Sequence, residues 1–279
     1  MICPNELREV YSTGRLIPFI GAGVSMSVLW EQGGLKKRGP SWAELVNEAA
    51  RRLGFEDPEL IRVRGTDLQI LEYFKLKEYG SFYALTNWLV TEMHPPDDAL
   101  KKSPIHAELS SLSLCNLIYT TNYDDFIERA FALNAREYRR VAIEAHMASA
   151  SEPRACEVIK FHGDLQNPNQ MVLSESDYER RLALETALDY RFRADLLGRA
   201  VLFMGYSFRD WNVSYLFRLI NERFAGLPGS PSGRRAYITV ADPSDFEIQL
   251  FRARNIEVIP INGKAQAEEI STLLGEMRS

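Results

Sequence analysis

The chain has 279 residues, 46% hydrophobic and 25% charged, with a formal net charge of -5, the make-up of a globular protein that can bury a sizeable core. That charge gives no global attraction to nucleic acid or anionic membrane, and the basic clusters Lys36-Lys37-Arg38 and Arg234-Arg235 lack the interleaved aromatics that stack bases. Cys3, Cys115 and Cys156 are scattered without a Cys-x-x-Cys pair, which argues against a disulfide framework or zinc ribbon. With no signal-like or membrane-length apolar run, a cytoplasmic protein is expected.

In chain order, residues 5–13 pattern as a short amphipathic helix with Leu7, Val10 and Tyr11 on one side. Leu16-Ile17-Pro18-Phe19-Ile20 reads as a buried strand running into a glycine turn, Gly21-Ala22-Gly23-Val24-Ser25. Glycines there tolerate positive φ and let backbone amides approach a phosphate closely. The polar, glycine-rich stretch from Met26 to Gly39 reads as a mobile loop over a pocket. Ser41, with Glu44 three residues on, is an N-cap signal. The pattern then stays helical, with Tyr73, Phe74, Phe82, Tyr83 and Trp88 assigned to a core.

Strand character returns at Asn116–Thr121, ending in Asn122-Tyr123-Asp124-Asp125 before a helix through Phe126 and Phe131. Val158–Phe161 is another strand, ending in His162-Gly163-Asp164. A long helix follows, with a capping signal at Ser176 and Glu179 and Tyr178, Leu182, Leu188, Phe192 and Leu196 on one face. Val201–Met204 ends in Gly205-Tyr206-Ser207, and a helix over 210–224 precedes a flexible loop over 226–233. Strands at Tyr237–Val240 and Glu257–Ile261 flank a helix at Phe246–Ala253. Alternation of this kind implies an α/β fold: a Rossmann-like, mostly parallel sheet with helices on both faces. We expect one domain over residues 1–279, with a helical insertion at about 43–114 and a second helical segment at about 174–199.

Ligands in open α/β sheets bind beyond the carboxyl ends of the strands, and here four strands deliver small and polar groups to that edge. In order, these segments resemble the sirtuin family, in its minimal bacterial NAD-hydrolysing branch. Gly21-Ala22-Gly23-Val24-Ser25 matches the family's Gly-Ala-Gly-x-Ser loop. Thr120-Thr121-Asn122-Tyr123-Asp124 is similar to its Thr-Gln-Asn-x-Asp element, with Thr121 where glutamine is usual. His162-Gly163 falls where the catalytic His-Gly sits, and Gly205-Tyr206-Ser207 resembles the Gly-Thr-Ser turn. The chain departs from the deacylases in having no cysteine beyond Cys156, so their four-cysteine zinc ribbon is missing. Gly39-Pro40-Ser41-Trp42 also replaces their Pro-Asp-Phe-Arg run.

The resemblance implies an NAD glycohydrolase that releases nicotinamide, with NAD as substrate and no zinc. The amides of Gly21, Ala22 and Gly23 with the Ser25 hydroxyl would hold the pyrophosphate. Thr121 would lie on the nicotinamide side, and Gly205 and Ser207 would contact the adenosine ribose. Asn122 would bond a ribose hydroxyl or the attacking water. Asp124 would fix the Asn122 loop or stabilise positive charge, and His162, titrating near neutrality, would be the base. Plainer roles stand beside these. Ser207 could cap the helix at Asp210, and Asn122 and Asp124 could cap the helix at Phe126. His94, His106 and His146 read as surface or loop residues. Two other functions compete: an NAD-dependent protein deacylase and a non-catalytic NAD- or ADP-ribose-binding assembly module. Unrestrained NAD hydrolysis would poison its own cell, so restraint is expected from homo-oligomers built through the helical insertion or from a separate partner. By resemblance that partner would be an ATPase translocase or a short Argonaute of anti-phage defence. No direct nucleic-acid or membrane binding is expected.

Overall fold

The computed structural model describes residues 3–148, 154–182, 186–206 and 236–279. Its centre is a seven-stranded sheet in the order β5-β6-β4-β1-β7-β8-β9, and every pairing in it is parallel. The strands are β1 (Leu16–Ile20), β4 (Leu117–Thr120), β5 (Tyr138–Val141), β6 (Cys156–Lys160), β7 (Ala200–Met204), β8 (Ala236–Ala241) and β9 (Ile256–Ile261). β4, β6 and β5 lie on one side of β1, with β6 inserted between β4 and the edge strand β5, and β7, β8 and β9 step outward in sequence order on the other. The strand order therefore reverses at β1, which is where such sheets open a crevice.

β1 is central although it contains Pro18, which has no N–H to give a neighbour. Its pairing with β7 runs the full length from Leu16↔Ala200 to Ile20↔Met204. Pairing with β4 begins only at Phe19↔Tyr119, so the missing donor falls where no ladder bond is required. Alternate residues of β1 feed opposite faces. Ile17 and Phe19 pack with Leu188 and Phe192 of α12 (Ala187–Asp195) and with Leu196, its C-cap. Leu16 and Ile20 pack beneath α1 (Asn5–Ser12), α8 (Pro104–Ser111), α9 (Phe126–Leu133) and α14 (Gln266–Arg278). Phe19 also meets Tyr119, Phe203, Phe161 and Tyr206 at centroid distances of 5.2–6.1 Å. Aromatic contacts of this kind add roughly 0.5–1.5 kcal/mol each beyond area burial, and they stiffen the layer directly under the strand ends.

Between the central strands β1 and β4 lie a hairpin and seven helices. The hairpin, β2 (Trp30–Gln32) and β3 (Leu35–Lys37), replaces the mobile loop expected over 26–39. It turns at Gly33 and Gly34, both at positive φ, the conformation a tight two-residue hairpin demands. α3 (Trp42–Arg52) starts at Ser41 with a reciprocal Ser41–Glu44 capping box. With α4 (Pro58–Arg62), α5 (Asp67–Lys77) and α6 (Tyr83–Glu92) it encloses a separate core of Leu45, Ala49, Leu71, Phe74, Leu85 and Leu89. α7 (Asp97–Lys101) and α8 instead join the layers around the sheet.

The long helix expected after His162 is divided. α11 (Glu175–Leu182) starts where Ser174 donates to Asp177, two residues before the expected cap, and Thr186 begins α12 with its own capping box to Asp189. β5 and the terminal α14 were not expected. α10 (Glu144–Met147) follows β5, and α13 (Asp245–Arg252) sits between β8 and β9. The helix and loop expected over 210–233, with Ser207, lie outside the described residues.

Candidate functional site

Register brings the sequence-selected residues together. β4 and β6 pair as Thr120↔Lys160, and Phe161 N–H continues the ladder to Thr120 O. Two residues further along, Asn122 and His162 therefore stand side by side at the carboxyl edge. Ile20 pairs with both Thr120 and Met204, which puts Gly21 beside Thr121 on one flank and beside Gly205 on the other.

The glycines are fixed by packing. Gly205 has φ +76°, and a Cβ there would lie 2.6 Å from Val24 N; one on Gly21 would lie 2.7 Å from Gly205 O. The turn amides are also occupied: Gly21 N–H donates to Met204 O at 2.8 Å and Gly23 N–H to Gly205 O at 2.9 Å. These are two of the amides that the sequence assigns to a pyrophosphate, and here they stitch β1 to β7. α2 (Ala22–Met26) follows as little more than one turn of helix.

Ser25 likewise faces inward, 2% exposed. Its hydroxyl donates to Asp124 Oδ2 at 2.8 Å and accepts from Asn122 Nδ2 at 2.8 Å. Asn122 Nδ2 also donates to Gly21 O at 3.0 Å, and its backbone N–H to Thr120 Oγ1. A carbonyl partner requires the amino side of the carboxamide at that position, so Asn122 Oδ1 points the other way. It is buried and has no hydrogen-bond partner among the described residues. An unmet buried acceptor costs about 1–3 kcal/mol, a cost a ligand or water donor removes. Asp124 Oδ1 accepts from Phe126 N–H at 3.1 Å, so Asp124 caps α9 and holds Ser25 at once.

His162 is 2% exposed, and its Nδ1 is a second buried atom without a partner among the described residues. Burial first, and then the nearby Arg181 cation, hold its pKa well below the ordinary histidine value. The expectation of titration near neutrality is thereby corrected: at pH 7 the imidazole is neutral, because charging it would desolvate a cation beside another cation. Gly163, at φ +78°, turns the chain away immediately afterwards.

Thr121 Oγ1 and Tyr206 OH are 2.8 Å apart, and Tyr206 OH donates to Ile20 O at 3.0 Å. Thr121 and Tyr206 are the two positions where the sirtuin pattern has glutamine and threonine. A short side chain just beyond β4 thus faces a long phenol from beyond the end of β7. Tyr206 also lies against Gly21, within 2.8 Å of where a Cβ would be. Nothing local in the sequence marks Tyr206 for a contact across 85 residues.

Lys160, 1% exposed, was overlooked as well. Its ammonium donates to Asp124 O and lies 3.6 Å from Glu128 Oε1. A charged residue at an inward position of an otherwise apolar strand was the available signal. Beside it, a cavity of about 190 Å³ is walled by Asp124, Asp125, Glu128 and Asp164, with Arg140 against Asp164 at 3.2 Å. Burial raises the Glu128 and Asp125 carboxyl pKa values. Val90, Met93, His94 and Leu165 are also in the lining, so the carboxyl groups stand among apolar and basic neighbours. His106, expected at the surface, is 1% exposed, with Nδ1 2.7 Å from Ser103 Oγ. The described residues contain no group of three or more His, Cys, Asp or Glu placed to hold a metal ion, and the three cysteines are buried free thiols.

A family profile described as SIR2-like domain matches residues 116–259, a span from the start of the Asn122-bearing strand through His162 and Gly205. The chain belongs to this SIR2-like family. Among curated proteins it is similar to the NAD(+) hydrolase ThsA of Enterococcus faecium, 30% identical over 75% of this chain and 40% of that protein. It is 28% identical to the ThsA of Acinetobacter baumannii (strain 532279) over 66% of this chain and 36% of that protein. Defense-associated sirtuin 2 of Bacillus subtilis is 23% identical over 88% of this chain and 22% of that protein. The chain thus spans two fifths or less of each of these relatives. No helix among the described residues is long and apolar enough to cross a membrane.

Proposed function

We propose that this SIR2-like domain is an NAD glycohydrolase, cleaving NAD to nicotinamide and ADP-ribose as an effector of bacterial defence. The observation that carries the reading is the pair of buried, unpartnered polar atoms, Asn122 Oδ1 and His162 Nδ1, at the adjacent ends of β4 and β6, on the same sheet edge as the turn after β1. Unmet polar atoms in a packed site are what a polar substrate would satisfy. The names of the relatives, NAD(+) hydrolase and defence-associated sirtuin, support both the substrate and the setting.

Breaking the nicotinamide–ribose bond develops positive charge on the ribose. Asn122 Oδ1 accepts from a ribose hydroxyl or aims a water, and its own orientation is locked by Gly21 O and Ser25. Neutral His162 takes the proton that a ribose hydroxyl or water gives up, a role that requires an uncharged imidazole. The Asp124 carboxylate favours the cationic nicotinamide end, leaving the pyrophosphate toward Gly21–Gly23 and the adenosine ribose toward Gly205. Because Gly21 and Gly23 amides are already bonded, the pyrophosphate is held there by Ala22 N–H and by any rearrangement that frees its neighbours. Restraint of the activity comes from self-association or from a separate partner. A protein deacylase is the weaker reading, since three scattered cysteines cannot form the four-cysteine module.

The test is direct. Purified protein incubated with NAD, alone and across a concentration series that promotes self-association, is assayed for free nicotinamide. Release that Asn122→Ala and His162→Ala abolish is the expected result. Absence of release throughout, or undiminished release by both variants, overturns the assignment.

A further inference from the structure

The proposed base is not held by its own strand alone. α11 turns one face toward it, with Tyr178 and Arg181 three residues apart and so on the same side of the helix. Tyr178 meets the His162 ring edge-on, with centroids 5.5 Å apart and planes at 80°. Arg181, 8% exposed, donates through Nη2 to the carbonyl of Phe161, the peptide that leads into His162. Through Nη1 it reaches Asp189 Oδ1 and Thr186 Oγ1, both at 3.0 Å. Its guanidinium also lies 4.6 Å over the Phe161 ring, which in turn packs near-parallel to His162 at 5.8 Å and 25°.

We infer that Arg181 is the positioning residue of His162: its planar fork ties the Phe161–His162 peptide to the start of α12 and fixes the imidazole at the sheet edge. The geometry uses what is particular to arginine. One plane makes three directed bonds and stacks on an aromatic face, which an ammonium cannot reproduce. Asp189, wholly buried, balances the charge, so the cation can sit in the interior without an open partner. The other side of α11 is also anchored. Lys75 of α5 bonds Asp177 at 2.7 Å, Ser176 N–H donates to Glu72 at 2.9 Å, and Gln69 bonds Glu175 at 3.1 Å. The helix that carries Arg181 is thus clamped to the helical insertion and not free to drift.

Facing His162 from α11 are the Arg181 cation and the Tyr178 phenol; from β4 comes the uncharged Asn122. Losing the Arg181 charge therefore removes the repulsion that opposes protonation of His162, and the imidazole midpoint rises. An arginine whose charge did not reach the ring would leave that midpoint where it is.

The inference rests on the NAD-cleaving reading for its catalytic meaning, so the experiment has one arm that needs no activity. The imidazole resonances are titrated by NMR in wild type, Arg181→Gln and Arg181→Lys, with His162→Gln identifying the His162 signal. We expect the His162 midpoint to rise in Arg181→Gln and to stay near wild type in Arg181→Lys. In the kinetic arm, both variants lose about 10–100-fold in kcat, the scale of an ångström-level misplacement. The acid limb of the kcat profile moves up only in Arg181→Gln. An unchanged midpoint in Arg181→Gln overturns the electrostatic half, and full kcat in Arg181→Lys overturns the positional half. Should Arg181→Gln not fold, Asp189→Asn, which leaves the cation underbalanced, must lower the His162 midpoint; no movement there overturns the inference. A moved midpoint in a protein that releases no nicotinamide would overturn the proposed activity and leave the positioning of His162 standing.

Discussion

Acidification should weaken this fold through His106 before most carboxylates protonate. His106 is 1% exposed, bonded to Ser103 and packed 6.3 Å from the Phe126 ring, and burial lowers its pKa to about 4. The unfolded chain binds a proton at the ordinary value of about 6.5, whereas the folded chain does not until about pH 4. Unfolded protein therefore carries more protons between those values, and stability falls as the pH drops through the window. The full gap of about 2.5 pKa units is worth about 3.4 kcal/mol, of which about 2.4 kcal/mol is lost between pH 7 and pH 4.5. The neighbouring Asp124 charge works the other way and is the smaller influence. Urea unfolding at half-unit pH steps, for wild type and His106→Gln, isolates this contribution. The variant has a lower absolute stability, from lost packing, but its stability should decline less over the same window, by about 2 kcal/mol. Parallel pH curves for the two proteins would refute the picture of a buried, neutral His106.

Other perturbations probe the site's framework. Gly205→Ala introduces a Cβ 2.6 Å from Val24 N at a φ of +76° and should cost about 1–3 kcal/mol in chemical denaturation; near-wild-type stability would mean the turn is looser than drawn. For Thr121 and Tyr206, a double-mutant cycle with Thr121→Val and Tyr206→Phe should return a coupling of about 0.5–1.5 kcal/mol, and additive losses would show that the 2.8 Å contact is not made in solution. Lys160→Met leaves Glu128 buried without its cation and should cost about 3–5 kcal/mol, most of it recovered by adding Glu128→Leu. If the double variant is no more stable than the single one, Lys160 acts chiefly through Asp124 O.

Much of this arrangement was legible because strand ends announce themselves. An apolar run that stops at Gly-Ala-Gly, Thr-Asn-Tyr-Asp or His-Gly has only one place to put its polar residues in a parallel sheet. The Ser41–Glu44 cap was readable for the same local reason. What escaped was set by distance or by masking of the pattern. The edge strand β5, Tyr138-Arg139-Arg140-Val141, is polar and half-exposed except for Val141, so no apolar run betrays it. Between Met26 and Gly39 the glycine pair reads as looseness, although adjacent glycines flanked by Gln32 and Leu35 are also what a two-residue hairpin needs. In α14 the apolar positions Ile270, Leu273, Leu274 and Met277 keep helical spacing, a signal that was there to be used. His106 looks like any polar residue until α8 turns it onto Phe126. Tyr206, Lys160 and Arg181 owe their importance to partners many residues away, which no single-segment pattern reports.

The glycine turn shows how one motif can answer two demands. Gly21, Gly23 and Gly205 would be required even in a protein that bound nothing, because any Cβ among them meets backbone within about 3 Å. Their closeness nonetheless has a chemical consequence. It draws Gly21 O to within 3.0 Å of Asn122 Nδ2, and that bond, with Ser25, decides which end of the carboxamide is left bare. Substituting Ser25 by alanine should therefore act on Asn122 and not on phosphate affinity. The amide would keep one of its two anchors, and Asp124 would lose the hydroxyl that bonds its Oδ2. In an NAD-cleavage assay the expected signature is a fall in kcat with little change in KM, because the ground-state grip on the dinucleotide is spared while the orienting acceptor is loosened. A raised KM at unchanged kcat would instead return Ser25 to the pyrophosphate, and with it the reading of the turn as a phosphate holder.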